Sequence, residues 1–72
     1  MSASVAYSDV ERMLKDCAPG STVRLATHSR VISYGALTYR TLPKFSELEI
    51  GHVRKMIRYL GIRDCAKKHG IF

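Results

Sequence analysis

Residues 21–43 read STVRLATHSRVISYGALTYRTLP, and this stretch decides the fold. Val23 and Leu25 alternate with Arg24 and Ala26. Val31, Ile32 and Tyr34 form a second β-rich run, and Leu37, Thr38, Tyr39 and Thr41 a third. Between the last two stands Gly35-Ala36, with glycine in the first central place of a two-residue turn, as a type II′ hairpin requires. Thr27-His28-Ser29 separates the first two runs and is short and polar enough for another tight turn. Pro43 has no amide hydrogen to give to a ladder and closes the third run. Three short antiparallel strands are predicted.

Helical periodicity flanks this stretch on both sides. Upstream, Ser8 stands three residues before Glu11, the spacing of a capping box, and Val10, Met13, Leu14 and Cys17 then repeat at i, i+3, i+4, i+7. Pro19-Gly20 ends that helix. Downstream, Val53, Met56, Ile57 and Leu60 repeat the same stripe, with Arg54, Lys55 and Arg58 on the other side. Gly61 suits the left-handed position after a helix, and Ile62 the apolar residue that follows it in a Schellman motif. Glu47 and Glu49 precede this helix, where negative charge suits its positive end. Asp64 to His69 is expected to add one or two helical turns before Gly70.

The expected fold class is α+β, in the order helix, three-stranded antiparallel sheet, helix (α-β-β-β-α), with a short helical C-terminal tail. Two helices covering one face of an amphipathic sheet is the simplest two-layer packing, and it leaves the other sheet face open. The same order occurs in double-stranded-RNA-binding domains. Residues 1–72 are expected to form a single domain, with a core over 7–62 and a tail over 63–72. At 72 residues the chain is near the lower limit for burying enough surface to fold alone. A composition 46% hydrophobic and 25% charged argues against disorder throughout.

Twelve Lys and Arg against six Asp and Glu give a net charge of +6. Such a balance favours polyanions: nucleic acid, an acidic protein or an anionic membrane surface. No apolar run approaches the roughly 20 residues that span a bilayer, and the first residues lack a basic segment before an apolar one. No membrane attachment and no secretion signal are therefore expected, and a cytoplasmic location follows. Cys17 and Cys65 match neither a clustered zinc pattern nor a disulfide framework, so both are expected as reduced, small core residues.

Candidates for chemistry are few. His28, His52 and His69 are scattered, no metal site and no cofactor are expected, and no phosphate loop of the glycine-rich type is present. His28 is the best placed, at the turn between the first two strands and close in sequence to Arg24 and Arg30. RNA cleavage needs a base to take the 2′-hydroxyl proton and a cation to stabilise the charged phosphorane. His28 with Arg24 or Arg30 would supply both. Arg24, Arg30, Arg54, Lys55 and Arg58 are the expected RNA-binding residues, as a one-sided basic stripe suits a phosphate backbone.

The segment from Leu42-Pro43 to Gly61-Ile62 resembles the HicA family of small toxins. Gly51, Arg54, Ile57, Gly61 and Ile62 fall in that family's places, and its Gly-Ser-His at the first strand turn corresponds to Ala26-Thr27-His28. The resemblance covers roughly residues 7 to 62. It implies a double-stranded-RNA-binding-like fold and an endoribonuclease acting on mRNA (an mRNA interferase) in a toxin–antitoxin pair. It also implies a HicB-type antitoxin that masks the active site, with His28 as the catalytic residue. The departures are Ala26 for the glycine, Thr27 for the serine, and a tail over 63–72 unlike the family's. The alternative is a non-catalytic RNA-binding or protein-interaction module of the same fold.

Overall fold

The computed structural model describes residues 3–72. In chain order the elements are β1 (Ser4–Ala6), α1 (Tyr7–Cys17), β2 (Thr22–Leu25), β3 (Arg30–Tyr34), β4 (Leu37–Leu42), β5 (Glu47–Glu49), α2 (Ile50–Leu60) and α3 (Arg63–Lys68). The central helix, three-stranded meander and helix are as the periodicity predicts, with antiparallel strand order β2-β3-β4. At the hairpin between β3 and β4, Gly35 takes a φ of 60° while Ala36 stays at negative φ, which fits a type II′ turn and not a type I′.

A second sheet, absent from the sequence reading, joins β1 to β5 in antiparallel register, with Val5 opposite Leu48. Glu47 and Glu49 therefore belong to a strand: they flank buried Leu48 with the two-residue alternation of a half-covered ribbon. This ribbon launches both long helices. The Tyr7 N–H donates to the Ser46 carbonyl (2.8 Å) and the Ile50 N–H to the Ala3 carbonyl (2.9 Å), so the ladder runs on into the first residue of each helix. It also displaces the expected capping box. α1 begins at Tyr7, one residue before Ser8, so Ser8 lies inside the helix, and Ala6 occupies the cap position with no side-chain bond.

The helix stripes form the core. Val10, Met13 and Leu14 from α1 meet Val53, Met56, Ile57 and Leu60 from α2, with Ile32, Tyr39 and Leu42 from the sheet and Leu48 from β5. Each such side chain contributes on the order of 1.5–3 kcal/mol by leaving water. Tyr39 and Leu42 are three residues apart and could not both face inward on a regular strand. Pairing of Ile32 with Tyr39 and of Arg30 with Leu42 sets two steps of β3 against three of β4, and this bulge turns both side chains inward. The Tyr39 ring packs on Tyr59 of α2, centroids 5.6 Å apart.

The helices cover β3 and β4 but leave β2 bare: all four of its residues are exposed. The other sheet face stays open. Register places Thr22, Arg24, Ser33 and Thr38 on it, along with Val31, which is itself buried, since directly opposed residues share a face.

Both α2 and the tail end in the same way. Gly61 and Gly70 each have a φ of 71°, and the next residue donates back to the helix, Ile62 N–H to Ile57 and Ile71 N–H to Ala66, both 3.2 Å. These are Schellman closures, and each buries its isoleucine. The tail, expected as a turn or two, is thus a folded element that lies along α1.

The expectation of two separate, reduced cysteines is corrected. Cys17 at the end of α1 and Cys65 in α3 form a disulfide, with Cα atoms 5.5 Å apart. Closing a loop with a sequence separation of 48 stabilises the fold by about 4 kcal/mol in the chain-entropy account. Sequence spacing hid the bond because α3 reaches Cys17 only once the tail has doubled back. Among the described residues, no helix is long and apolar enough to cross a membrane.

Candidate nucleic-acid interface

His28 sits at the tip of the β2–β3 turn, exposed. The Ala26 N–H donates to the Ser29 carbonyl (2.8 Å), which leaves Thr27 and His28 as a two-residue tip. Two further bonds hold this turn. The Ser29 hydroxyl donates to the Arg40 carbonyl of β4 (2.7 Å), and the Lys44 ammonium donates to the carbonyls of Ala26 (2.8 Å) and Thr27 (3.4 Å). The histidine is therefore offered to solvent from a braced loop, with the Lys44 ammonium bound to the carbonyls of the two residues before it. Ala26 keeps a negative φ, so the position does not need the conformational freedom of the glycine it replaces in the resemblance.

Arg30 is elsewhere. The register points its side chain to the helix side of the sheet, and the residue is 9% exposed. Its guanidinium donates to the carbonyls of Pro43 (2.7 Å) and Phe45 (2.9 Å) and lies 3.6 Å from the centroid of the Tyr7 ring. Planar, delocalised and weakly hydrated, it suits such an interior position better than an ammonium would. Burial, followed by the charge of Glu11, raises the Tyr7 hydroxyl above its ordinary pKa, although Arg30 opposes the shift. Arg30 thus works as a strut between the start of α1 and the β4–β5 loop. The cations left around the turn are Lys44, and Arg24 and Arg40 from the flanking strands, both exposed.

Arg54, Lys55 and Arg58 all point to solvent from α2, as the stripe predicts. The structure gathers two of them around the tail: the Arg54 and Arg58 guanidinium carbons lie 5.9 and 5.4 Å from the centroid of the Phe72 ring, with the Lys67 ammonium at 6.0 Å. Because α2 covers the inner face of the sheet, this cationic patch and the open face with Arg24 look out from opposite layers of the molecule. The expected RNA-binding residues therefore divide into three: Arg24 by the His28 turn, Arg30 inside, and the α2 trio behind.

The distribution of acids sharpens the picture. No Asp or Glu occurs from residue 17 to residue 46, nor from 50 to 63, so the whole meander and all of α2 lack a carboxylate. The acids are confined to α1, β5 and the first turn of α3. The same segregation can be read in the sequence, where total charge conceals it. The two principal clefts lie elsewhere, one beside the disulfide and one between β1 and the tail, and His28 lines neither. A group on a convex, braced turn meets a ligand that lies across the surface, as an extended polymer does, better than a small molecule that needs enclosure.

No family model, curated protein or solved structure matches this chain.

Proposed function

We propose that this chain is a small RNA-binding domain that cleaves RNA from its three-stranded sheet, with His28 as general base, in the manner of the toxin of a toxin–antitoxin pair. The observation that carries the proposal is the exposed imidazole on a turn braced by the Lys44 ammonium, within a stretch free of carboxylates. Phosphates along the backbone would be held by Arg24 and Arg40 on the sheet, with Arg54, Lys55 and Arg58 adding long-range attraction from the other layer. Neutral His28 takes the proton of a ribose 2′-hydroxyl. The 2′-oxygen attacks the adjacent phosphorus, Lys44 offsets the added negative charge, and the bond to the 5′-oxygen breaks with a proton supplied from water. The products are a 2′,3′-cyclic phosphate and a 5′-hydroxyl. In this reading an acidic antitoxin of the HicB type would cover the same turn in the resting cell, where the protein would be cytoplasmic.

The test is cleavage of a mixed RNA by the purified protein. His28→Ala is expected to slow cleavage at least about 100-fold, while leaving the circular dichroism spectrum and the RNA Kd within twofold. Fragments should end in cyclic phosphate, and a 2′-deoxy substitution at a cut site should block that cut alone. Undiminished cleavage by His28→Ala would remove this histidine from the mechanism. Salt-sensitive binding with no cleavage by the wild type would select the non-catalytic module, which the inward commitment of Arg30 favours, since it leaves the turn one cation poorer.

A further inference from the structure

At the end of the molecule built by α1 and the tail, four side chains with metal-binding atoms converge. Asp16 and Cys17 close α1, while Cys65 lies in α3 and His69, four residues on, caps its C-terminal end. The His69 Nε2 and Asp16 Oδ2 atoms are 2.7 Å apart, and Cys65 Sγ is 3.9 Å from the same oxygen. One candidate atom from each of the four residues falls within 4.8 Å of every other. The His69 side chain is only 26% exposed, though it sits in a tail of lysines. An open cleft lined in part by Tyr34, Arg58 and Arg63 leads to both cysteines from solvent.

Two sulfurs, one imidazole nitrogen and one carboxylate oxygen make a four-ligand set suited to zinc, which takes thiolates at about 2.3 Å and nitrogen or oxygen at about 2.0–2.2 Å in a tetrahedron. Such a tetrahedron places its ligand atoms roughly 3.3–3.8 Å apart. Cys65 Sγ already lies close to that spacing from the Asp16 oxygen, at 3.9 Å, whereas the His69 nitrogen and that oxygen, hydrogen-bonded at 2.7 Å, must part by roughly 0.6 Å or more. The two sulfurs must also separate, to about 3.8 Å, which side-chain rotation allows with the two Cα atoms 5.5 Å apart.

We propose that the Cys17–Cys65 disulfide and a zinc ion bound by Asp16, Cys17, Cys65 and His69 are two interchangeable clips for the tail. An external dithiol breaks the S–S bond, giving two electrons and two protons and itself closing to a disulfide. The freed thiols then lose both protons to solvent as zinc binds. The His69 ring carries its remaining proton on Nδ1, so that Nε2 is free to ligate. The tail is pinned to α1 in oxidising and in reducing surroundings, by a covalent bond in one and a metal in the other.

The experiment uses the full chain, reduced with a phosphine that is then removed, and titrated with zinc against a chromophoric chelator. Reduced wild type is expected to take one zinc per chain from the chelator, and cobalt in its place should give the intense visible bands of tetrahedral coordination with sulfur-to-metal charge transfer. Zinc should also raise the Tm of the reduced protein. The oxidised protein should take none. His69→Gln, which keeps the disulfide and therefore folds when oxidised, should lower the affinity of the reduced form at least about tenfold, and Asp16→Asn should also weaken it. A reduced wild type that leaves all zinc on the chelator overturns the proposal. So does zinc uptake by the oxidised form, or reduced His69→Gln and Asp16→Asn proteins that bind as tightly as wild type.

Discussion

At position 30 the β3 register turns a guanidinium toward the covered side of the sheet, where the carbonyls of Pro43 and Phe45 and the face of Tyr7 receive it. In the sequence Arg30 looks like its neighbour Arg24, a basic residue at the end of a β run. What separates them is which side of the pleat each occupies. That in turn depends on a bulge and a loop that local pattern does not reveal. Arg30→Leu leaves two carbonyls without their partner and is expected to cost about 2–4 kcal/mol, read as a lower urea midpoint. Arg30→Lys keeps the charge but loses the planar guanidinium that lies on the Tyr7 ring, so it should recover only part of that loss. A variant of either kind with wild-type stability would show that the strut carries no load. His28 was legible for the opposite reason: a polar residue between two strands has few places to go except the tip of a turn.

At the scale of elements, the features written in local chemistry emerged as read: two amphipathic stripes, a glycine-led hairpin, and a glycine-isoleucine ending for α2. The same ending recurs at Gly70-Ile71 and marks the close of the tail just as clearly. What did not emerge were the three-residue strands β1 and β5. Strands of that length carry too little alternation to stand out, and Glu47 and Glu49 served equally well as a lead into a helix. Glycines offer a contrast in sign. Gly61→Ala must place a side chain at a φ of 71° and is expected to cost about 1 kcal/mol. Gly51→Ala, inside α2 at an ordinary φ and with open space around the new methyl, is expected to gain about 0.5 kcal/mol. Paired urea titrations check both, and equal signs would count against the cap described for α2.

For the whole molecule, charge is better described by where the acids are not than by its total. The flat body, with extents of 33 × 29 × 18 Å, carries cations on both broad faces, but only one face holds the histidine turn. If RNA lies on that face, Arg24→Glu should weaken its Kd at least about fivefold and flatten its salt dependence by roughly one to two contacts. The double reversal of Lys55 and Arg58 to Glu should weaken it less at physiological salt, because the interaction acts through screened distance. Filter binding across a salt series distinguishes these, and the reverse ranking would move the interface to α2. The disulfide was the feature least accessible from sequence, since its two ends belong to elements that local signals treat as unrelated.

The β1–β5 ribbon ties residues 4–6 to residues 47–49, and the Cys17–Cys65 bond ties the end of the first helix to the tail. Neither α1 nor the meander can cover its apolar side until the last third of the chain is present. On a ribosome the growing polypeptide would hold Val10, Met13 and Leu14 bare until the residues of β5, α2 and the tail have emerged, and would fold in one late step once they have. A nascent chain in that position gains from any partner, chaperone or cognate protein, able to meet it at the tunnel mouth.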